Sequence, residues 1–367
     1  MTAGPWKPVY IEAYHERIAD LECVTEIADD LDSAQICINA TCEGSTAARS
    51  TNISLRLALY ELGGEKVDEQ TLPFVNDKLQ HTFELRQPQL WWPRGYGEQP
   101  LYRVVATLHG EADELDRREQ RLGLRRLQLV QQPLSNDEGT TFFFSVNNTP
   151  VYCGGANWIP ADSFLPAITP SRYRAWLQLA TDAHMTMLRV WGGGIYEDDV
   201  FYDTCDELGL LVWQDFLFGC GIYPALDWFQ ASVQAEVEAT LRRLRHHPSI
   251  ALWCGNNEDY LLAQSLGSYD SSFNGDFTKT AFPARAIYEQ LLPEICARLD
   301  PQRPYWPGSP YSGNDVNDMR KGDMHVWDIW QKSIPYQDYP ERTARFISEF
   351  GIESFPELAT IESFASA

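Results

Sequence analysis

The sequence predicts two architectures in one chain. An immunoglobulin-like β-sandwich is expected over residues 13–128. A (β/α)8 barrel of the TIM type follows over 129–367, incomplete because it stops before an eighth strand. Three observations predict this. The 367 residues, 44% hydrophobic and 13% aromatic, suffice for two packed cores. The periodicity changes near Thr140, from short alternating segments to strands separated by helical stretches. About seven apolar strand candidates follow that change, where a closed barrel needs eight.

The first half carries four clear alternating segments: "AQICINATCEG", "NISLRLALYEL", "KLQHTFELRQP" and "LYRVVATLHG". Alternation with period two marks a half-buried strand. Gly63-Gly64 and Asn76-Asp77 supply turns between them. "WWPRGYGEQPLY" is an aromatic, Gly-rich loop, expected to pack against the neighbouring domain. "FFFSVNNTPVY" predicts a hairpin turning at Asn147-Asn148. Beyond it, "GGANW", "MTMLRVW", "LLVWQDFLF", "SIALWCGNNE", "PYWPGSPYS", "DMHVWDIW" and "RFISEFG" read as strands. Helices are expected from Thr169-Pro170-Ser171, over "DDVFYDTCDEL" up to Gly209, over 228–246 and over 285–299. Such alternation suits a barrel or an open doubly wound sheet. A dinucleotide fold loses ground because no G-x-G-x-x-G opens a helix after the first strand.

Charge narrows the partners. Lys+Arg 29 against Asp+Glu 52 gives a net charge of −23, which repels phosphate backbones and anionic lipid. Nucleic-acid and membrane-surface roles are therefore excluded, and the excess serves solubility. Eight scattered cysteines, with no Cys-x-x-Cys and no His cluster at zinc spacing, predict free thiols in a reducing, cytoplasmic setting. The chain opens without a signal-peptide pattern, in sequence that resembles the middle of a domain, and no apolar run is long enough to span a bilayer.

Chemistry in a barrel sits at the C-terminal strand ends. The polar residues there are Asn157-Trp158, Arg189 with Trp191, Trp213 with Asp215, Asn256-Asn257-Glu258, His325 with Trp327, and Glu349. Glu258 and Glu349 are the pair that can cleave a glycosidic bond. One carboxyl must be kept protonated for the leaving oxygen, and the other must be ionised to attack or to activate water. Arg189 is placed to keep Glu349 ionised by charge pairing. Taken singly, Glu258 suits a helix cap and Glu349 a structural ion pair, so the residues alone leave the pair undecided.

"GANWIPADSF", "MLRVWGGGIYE", "LVWQDFLF", "HPSIALWCGNNE" and "ISEFG" resemble β-mannosidases of glycoside hydrolase family 2. The resemblance runs in order from about Pro150 to Pro356, and "WWPRGYGEQPLY" with "RLGLRR" is similar to the sandwich preceding the family's barrel. It implies a retaining exo-enzyme acting on terminal β-D-mannose of β-mannosides or manno-oligosaccharides, with no metal or organic cofactor. It implies Glu258 as acid/base, Glu349 as nucleophile, Asn257 as the sugar 2-hydroxyl contact and Arg189 as the nucleophile's partner. Trp191, His325 and Trp327 fall where the family lines the sugar subsite, and Trp158 and Asp162 fall nearby. Another β-glycoside (glucosaminide, galactoside, glucuronide), or an inactive or sugar-binding fragment, remains the alternative. The resemblance further implies that residues 1–12 are the last strand of a preceding jelly-roll domain and that an eighth strand is missing. A homodimer is compatible with the sequence.

Overall fold

The computed structural model describes residues 5–44, 53–111, 113–135 and 137–365. Its first seven strands are β1 (Glu16–Ile27), β2 (Ser33–Gly44), β3 (Ser54–Tyr60), β4 (Lys66–Pro73), β5 (Lys78–Arg86), β6 (Tyr102–His109) and β7 (Glu114–Leu122). They form two antiparallel sheets, β1-β2-β5 and β4-β3-β6-β7. Period-two alternation decides their packing. In β2, Ala34, Ile36, Ile38, Ala40 and Cys42 are buried, and they meet Leu55, Leu57 and Leu59 of β3 and Val104, Ala106 and Leu108 of β6. Each such Leu or Ile contributes roughly 1.5–3 kcal/mol by leaving water. The strand expected over residues 1–12 is not formed where the structure describes it. Residues 5–12 pair with no strand, and Val9, Tyr10 and Ile11 are exposed. Residues 1–4 lie outside the described residues.

Three short strands follow: β8 (Leu127–Val130), β9 (Phe143–Val146) and β10 (Thr149–Val151). The expected boundary between 128 and 129 thus falls inside β8. The β9–β10 hairpin turns at Asn147 and Asn148, with φ of 48° and 63°, a left-handed pair that asparagine tolerates. Phe142, Phe144 and Val146 pack on Met187, Leu211 and Ala251, where the parallel strands begin.

Those parallel strands are β11 (Gly155–Trp158), β12 (Met187–Val190), β13 (Leu211–Asp215), β14 (Ile250–Cys254), β15 (Tyr305–Trp306), β16 (Met324–Val326) and β17 (Ile347–Phe350). The first five form one parallel sheet in that order, and β16 pairs with β17 in a second. All seven expected strands are present, but a closed ring is not formed among the described residues. Single contacts bridge the gaps. Asn157 Nδ2 donates to Ser348 O at 3.1 Å, tying β11 to β17. Bridges Gly219–Asn257 and Asn257–Ser309 extend the sheet past its strand ends.

Helices α1 (Pro170–Asp182), α2 (Asp199–Leu208) and α3 (Asp227–Leu244) connect the strands and pack on them, while α4 (Asp259–Ser265) and α5 (Leu292–Leu299) lie between β14 and β15. Strands β12 to β14 are buried at every position, as strands covered on both faces must be. Thr169 caps α1 by accepting Arg172 N–H at 3.3 Å, and Gly209 ends α2 at φ 73°. The helix expected over 285–299 opens instead with a π-turn, Ile287–Leu291, just before Pro293, which has no N–H to give.

The two halves are joined through polar contacts. Trp91 is fully buried and donates to Asp206 O at 2.9 Å, so the aromatic loop does pack between domains. Arg125 donates to Ile250 O at 2.5 Å, and Arg245 pairs with Glu22 at 2.5 Å.

Candidate active site

The Gly-Asn-Asn-Glu segment leaves β14 by a narrow path. A Cβ at Gly255 would stand 2.2 Å from Pro307 O, so only glycine passes there. Asn256 then ties the turn down, donating to Pro307 O at 2.9 Å and accepting Asp259 N–H at 3.2 Å. Glu258 adopts φ 63° and donates its N–H to Ser309 O at 2.8 Å. A left-handed glutamate costs of order 1 kcal/mol, a strain that collects at functional sites. The helix α4 begins on the next residue.

Arg189, the buried end of β12, organises the other carboxylate. Its Nη1 bonds Glu349 Oε1 at 2.5 Å and Asn157 Oδ1 at 3.1 Å. Its Nη2 bonds Asp215 Oδ2 at 2.7 Å and Asn257 Oδ1 at 2.8 Å. Asp215 also accepts Trp213 Nε1–H at 2.9 Å and Gly192 N–H at 3.0 Å. Burial opposes the Arg189 charge, but Asp215 and Glu349 outweigh it and hold the guanidinium more basic than usual. Burial pushes the Asp215 carboxyl up despite Arg189. Trp327 Nε1 donates to Glu349 Oε2 at 3.1 Å.

Glu258 faces this group across His325. The imidazole Nδ1 lies 2.8 Å from Glu258 Oε1 and 3.4 Å from Glu349 Oε2. One oxygen of each glutamate and a nitrogen of His325 all fall within 4.8 Å of one another. Cys220 Sγ stands 3.4 Å from Glu258 Oε2 and 3.5 Å from Asn257 Nδ2. Burial, then the Glu258 charge, pushes this thiol up to about 11. Burial also pushes Glu258 upward, but the hydrogen bond and charge of His325 prevail and hold it below the ordinary carboxylate range. This corrects the expectation that the acid of the pair stands above it. The cause is a histidine whose approach depends on the fold.

The structure thus gathers Glu258, Glu349, Asn257, Arg189, His325 and Trp327 into one cluster. Trp191 is half-buried, and its backbone N–H donates to Trp158 O at 3.1 Å. Trp158 is committed elsewhere. Its ring stacks on Tyr173 and its Nε1 donates to buried Glu197 at 2.9 Å, so it supports the core behind the strand end. Asp162 pairs with Arg172 at 2.6 Å and caps Phe164 N–H at 2.8 Å, which fixes its loop. Asp215, Asn157 and Cys220 belong to the cluster but are missing from the sequence-derived site. Asp215 and Asn157 stand among the polar residues read at the strand ends but are not carried into that site, and nothing local marks Cys220.

Among the described residues, ligand-type atoms crowd in two places, Glu258-His325-Glu349 and Asp203-Asp206-His247. In the second, Arg121 pairs with Asp203 at 2.6 Å and Ser249 N–H binds Asp206 at 3.0 Å, so the oxygens already have partners. In the first, the imidazole contacts both carboxylates itself. A cavity of about 390 Å³ lies between the domains, away from both glutamates. Its Arg245 and Arg303 are spent on Glu22 and Asp300, and its Arg125 on backbone carbonyls.

Paired carboxylates at the ends of parallel strands, one clamped by arginine, are the arrangement that cleavage of a glycosidic bond requires. Comparison with known proteins agrees. Residues 16–125 match the family model "Glycosyl hydrolases family 2". Beta-mannosidase B of Thermothelomyces thermophilus is 44% identical over 372 residues, covering 99% of this chain and 43% of that protein. The crystal structure of beta-D-mannosidase from Dictyoglomus thermophilum superimposes with a TM-score of 0.85 at 41% identity, over 97% of this chain and 42% of that one. A β-glucuronidase from Parabacteroides merdae shares the fold alone, with a TM-score of 0.66 at 16% identity over 91% of this chain and 40% of that one. The chain belongs to glycosyl hydrolases family 2, and the two relatives it matches at 41% and 44% identity are named as beta-mannosidases. It spans less than half the length of these relatives.

Proposed function

We propose that this chain carries the catalytic centre of a retaining exo-β-mannosidase, built at the C-terminal ends of a (β/α)8-type barrel. The observation that carries it is the pair of glutamate oxygens within 4.8 Å of each other, with Arg189 on Glu349. Retaining enzymes hold their carboxyls about 5–5.5 Å apart, while inverting ones need about 6.5–9.5 Å to admit water. Glu349 attacks the anomeric carbon as Glu258 protonates the leaving oxygen. Glu258 then takes a proton from water as the glycosyl–Glu349 bond breaks. The Asn257 oxygen is taken by Arg189, so its amide N–H faces outward, toward Cys220 and the 2-hydroxyl. That hydroxyl is axial in mannose, which makes Asn257 a specificity residue.

The names of the relatives support mannose. Eight free thiols support a reducing compartment. Among the described residues no helix is long and apolar enough to cross a membrane.

The test is proton NMR of the first product from aryl β-mannoside and β-glucoside. The expected result is faster release from the mannoside and a β-configured sugar. An α-configured product would overturn retention, and a faster glucoside would overturn the assigned sugar. Tight mannose binding without hydrolysis would make the chain a sugar-binding scaffold.

A further inference from the structure

Behind the Glu258–His325 contact lies a buried polar chain that neither glutamate's role uses. Asp323, just before β16, is fully buried. Its Oδ1 accepts Trp306 Nε1–H at 2.7 Å and Tyr311 N–H at 3.0 Å. Its Oδ2 accepts the hydroxyls of Ser309 at 2.6 Å and Ser348 at 2.5 Å. An indole and an amide can only donate, so the pocket is shaped for an ionised carboxylate. Ser309 has one hydroxyl proton. Once that proton is aimed at Asp323, the Ser309 oxygen can only accept at its contact with His325 Nε2, 3.0 Å away. Ser348 Oγ is a further neighbour of the Ser309 oxygen at 3.0 Å, but the 2.6 Å contact to Asp323 is the shortest of the three and the one to a carboxylate, so it is the favoured acceptor and leaves Nε2 to carry a hydrogen.

A histidine fixed as an Nε2–H donor has two forms left: a neutral one with bare Nδ1, and a charged one with Nδ1–H. Bare Nδ1 facing two ionised carboxylates would place acceptor against acceptor at 2.8 Å and 3.4 Å. One proton on the axis between Nδ1 and Glu258 Oε1 removes that conflict. The neighbouring charges favour keeping it. Asp215, Glu258 and Glu349 face a single guanidinium, Arg189, and the other titratable neighbours, Cys220 and Asp259, add no cation.

We propose that Asp323, acting through Ser309, is a positioning residue that fixes His325 with Nε2 protonated, so that His325 and Glu258 hold the catalytic proton as one unit. The inference rests on the acid role proposed for Glu258. In the open site the proton resides on His325, whose Nδ1 faces both carboxylates. An arriving aglycone excludes water, disfavours the separated charges and returns the proton to Glu258. In the first step the pair loses that proton to the glycosidic oxygen as its bond to the anomeric carbon breaks and Glu349 bonds that carbon. In the second, water returns a proton to the pair as its oxygen bonds the carbon and the bond to Glu349 breaks.

Nitrogen-15 NMR of the imidazoles tests this without turnover, with the His325 signals assigned by their loss in His325→Gln. Nε2 is expected to carry its hydrogen in the wild-type chain, with the Nδ1 signal moved in Glu258→Gln. Ser309→Ala is expected to release the tautomer, and it serves where Asp323→Asn does not fold. A neutral His325 carrying its hydrogen on Nδ1 overturns the proposal. Kinetics supply the second arm. Asp323→Asn is expected to lower kcat/KM for an alkyl mannoside about tenfold or more while changing a dinitrophenyl mannoside less than about threefold, because only the poor leaving group needs the acid. Equal losses on both would mean a purely structural role and overturn it. The expected NMR with no hydrolysis by the wild-type chain would instead overturn the proposed function and leave the proton arrangement standing.

Discussion

The two halves of the molecule bury different things. Among the described strands β1 to β7, the buried polar or charged side chains are Glu16 and Thr107, and the rest of the core is hydrocarbon apart from the Cys42 thiol and the Tyr102 hydroxyl, which accepts Gln89 N–H. The parallel half buries Arg189, Asp215, Asp259, Asp323, His325 and Glu349 at the ends of its strands or close to them. Hydrocarbon burial is cheap and tolerant, whereas a buried charge is costly unless every partner is in place. The difference teaches which half must keep its partners in register to stay folded. One half holds a shape, and the other spends part of its stability on holding charges close together.

That contrast can be broken or sharpened by substitution. The largest effect is expected from Glu349→Ala, which removes the proposed nucleophile. Turnover of an aryl mannoside should fall by about 10⁴-fold or more, and a variant as active as wild type would end the assignment. Arg189→Met should come next. It leaves Asp215 and Glu349 buried without their cation, and a broken buried pair costs about 3–5 kcal/mol in urea unfolding. A loss under about 1 kcal/mol would place this cluster with surface ion pairs.

Leu57→Ala probes the other half. A fully buried leucine truncated in the sandwich should cost about 2–5 kcal/mol and leave KM for the sugar unchanged. A change in KM would show that the sandwich shapes the site.

Asp259 offers a pH test. Burial pushes its carboxyl up to about 7, against the Gly221 N–H and the Tyr288 hydroxyl that favour the charged form. The unfolded chain ionises Asp near pH 3.8, so the folded state holds the proton longer. The stabilisation is full below about pH 4 and is lost as pH rises toward 7, at no more than about 1.4 kcal/mol per pH unit. Urea midpoints between those limits should fall more steeply for wild type than for Asp259→Asn. Parallel curves would refute the shift. The smallest effect is expected for Lys279→Ala, an exposed pair with Asp276, whose unfolding midpoint should not move measurably.

Much of the fold was legible in the chain. Alternation in "AQICINATCEG" places Ile36 and Ile38 inside because a strand's side chains alternate by geometry alone. The apolar run "IALWC" marks a strand covered on both faces. Thr169-Pro170 and Gly209 set helix ends through local backbone chemistry. The resemblance to family 2 named Glu258, Glu349, Asn257 and Arg189, and the structure brings those four together. The strand expected before residue 12 was not legible as absent, because an extended segment becomes a strand only when a partner edge exists.

The sequence by itself determined which segments alternate, where helices start and stop, and which polar residues arrive at strand ends. These depend on neighbours within a few positions. Only the tertiary structure decided that His325 stands between Glu258 and Glu349, that Trp158 turns away to Glu197, and that Asp323 reaches His325 through Ser309. Each of those facts joins residues 14 to 67 positions apart, or pairs a proton with one of several acceptors. Local propensity carries no information at that range. Packing sets the distances, and the exclusion of water sets how strongly the charges feel one another.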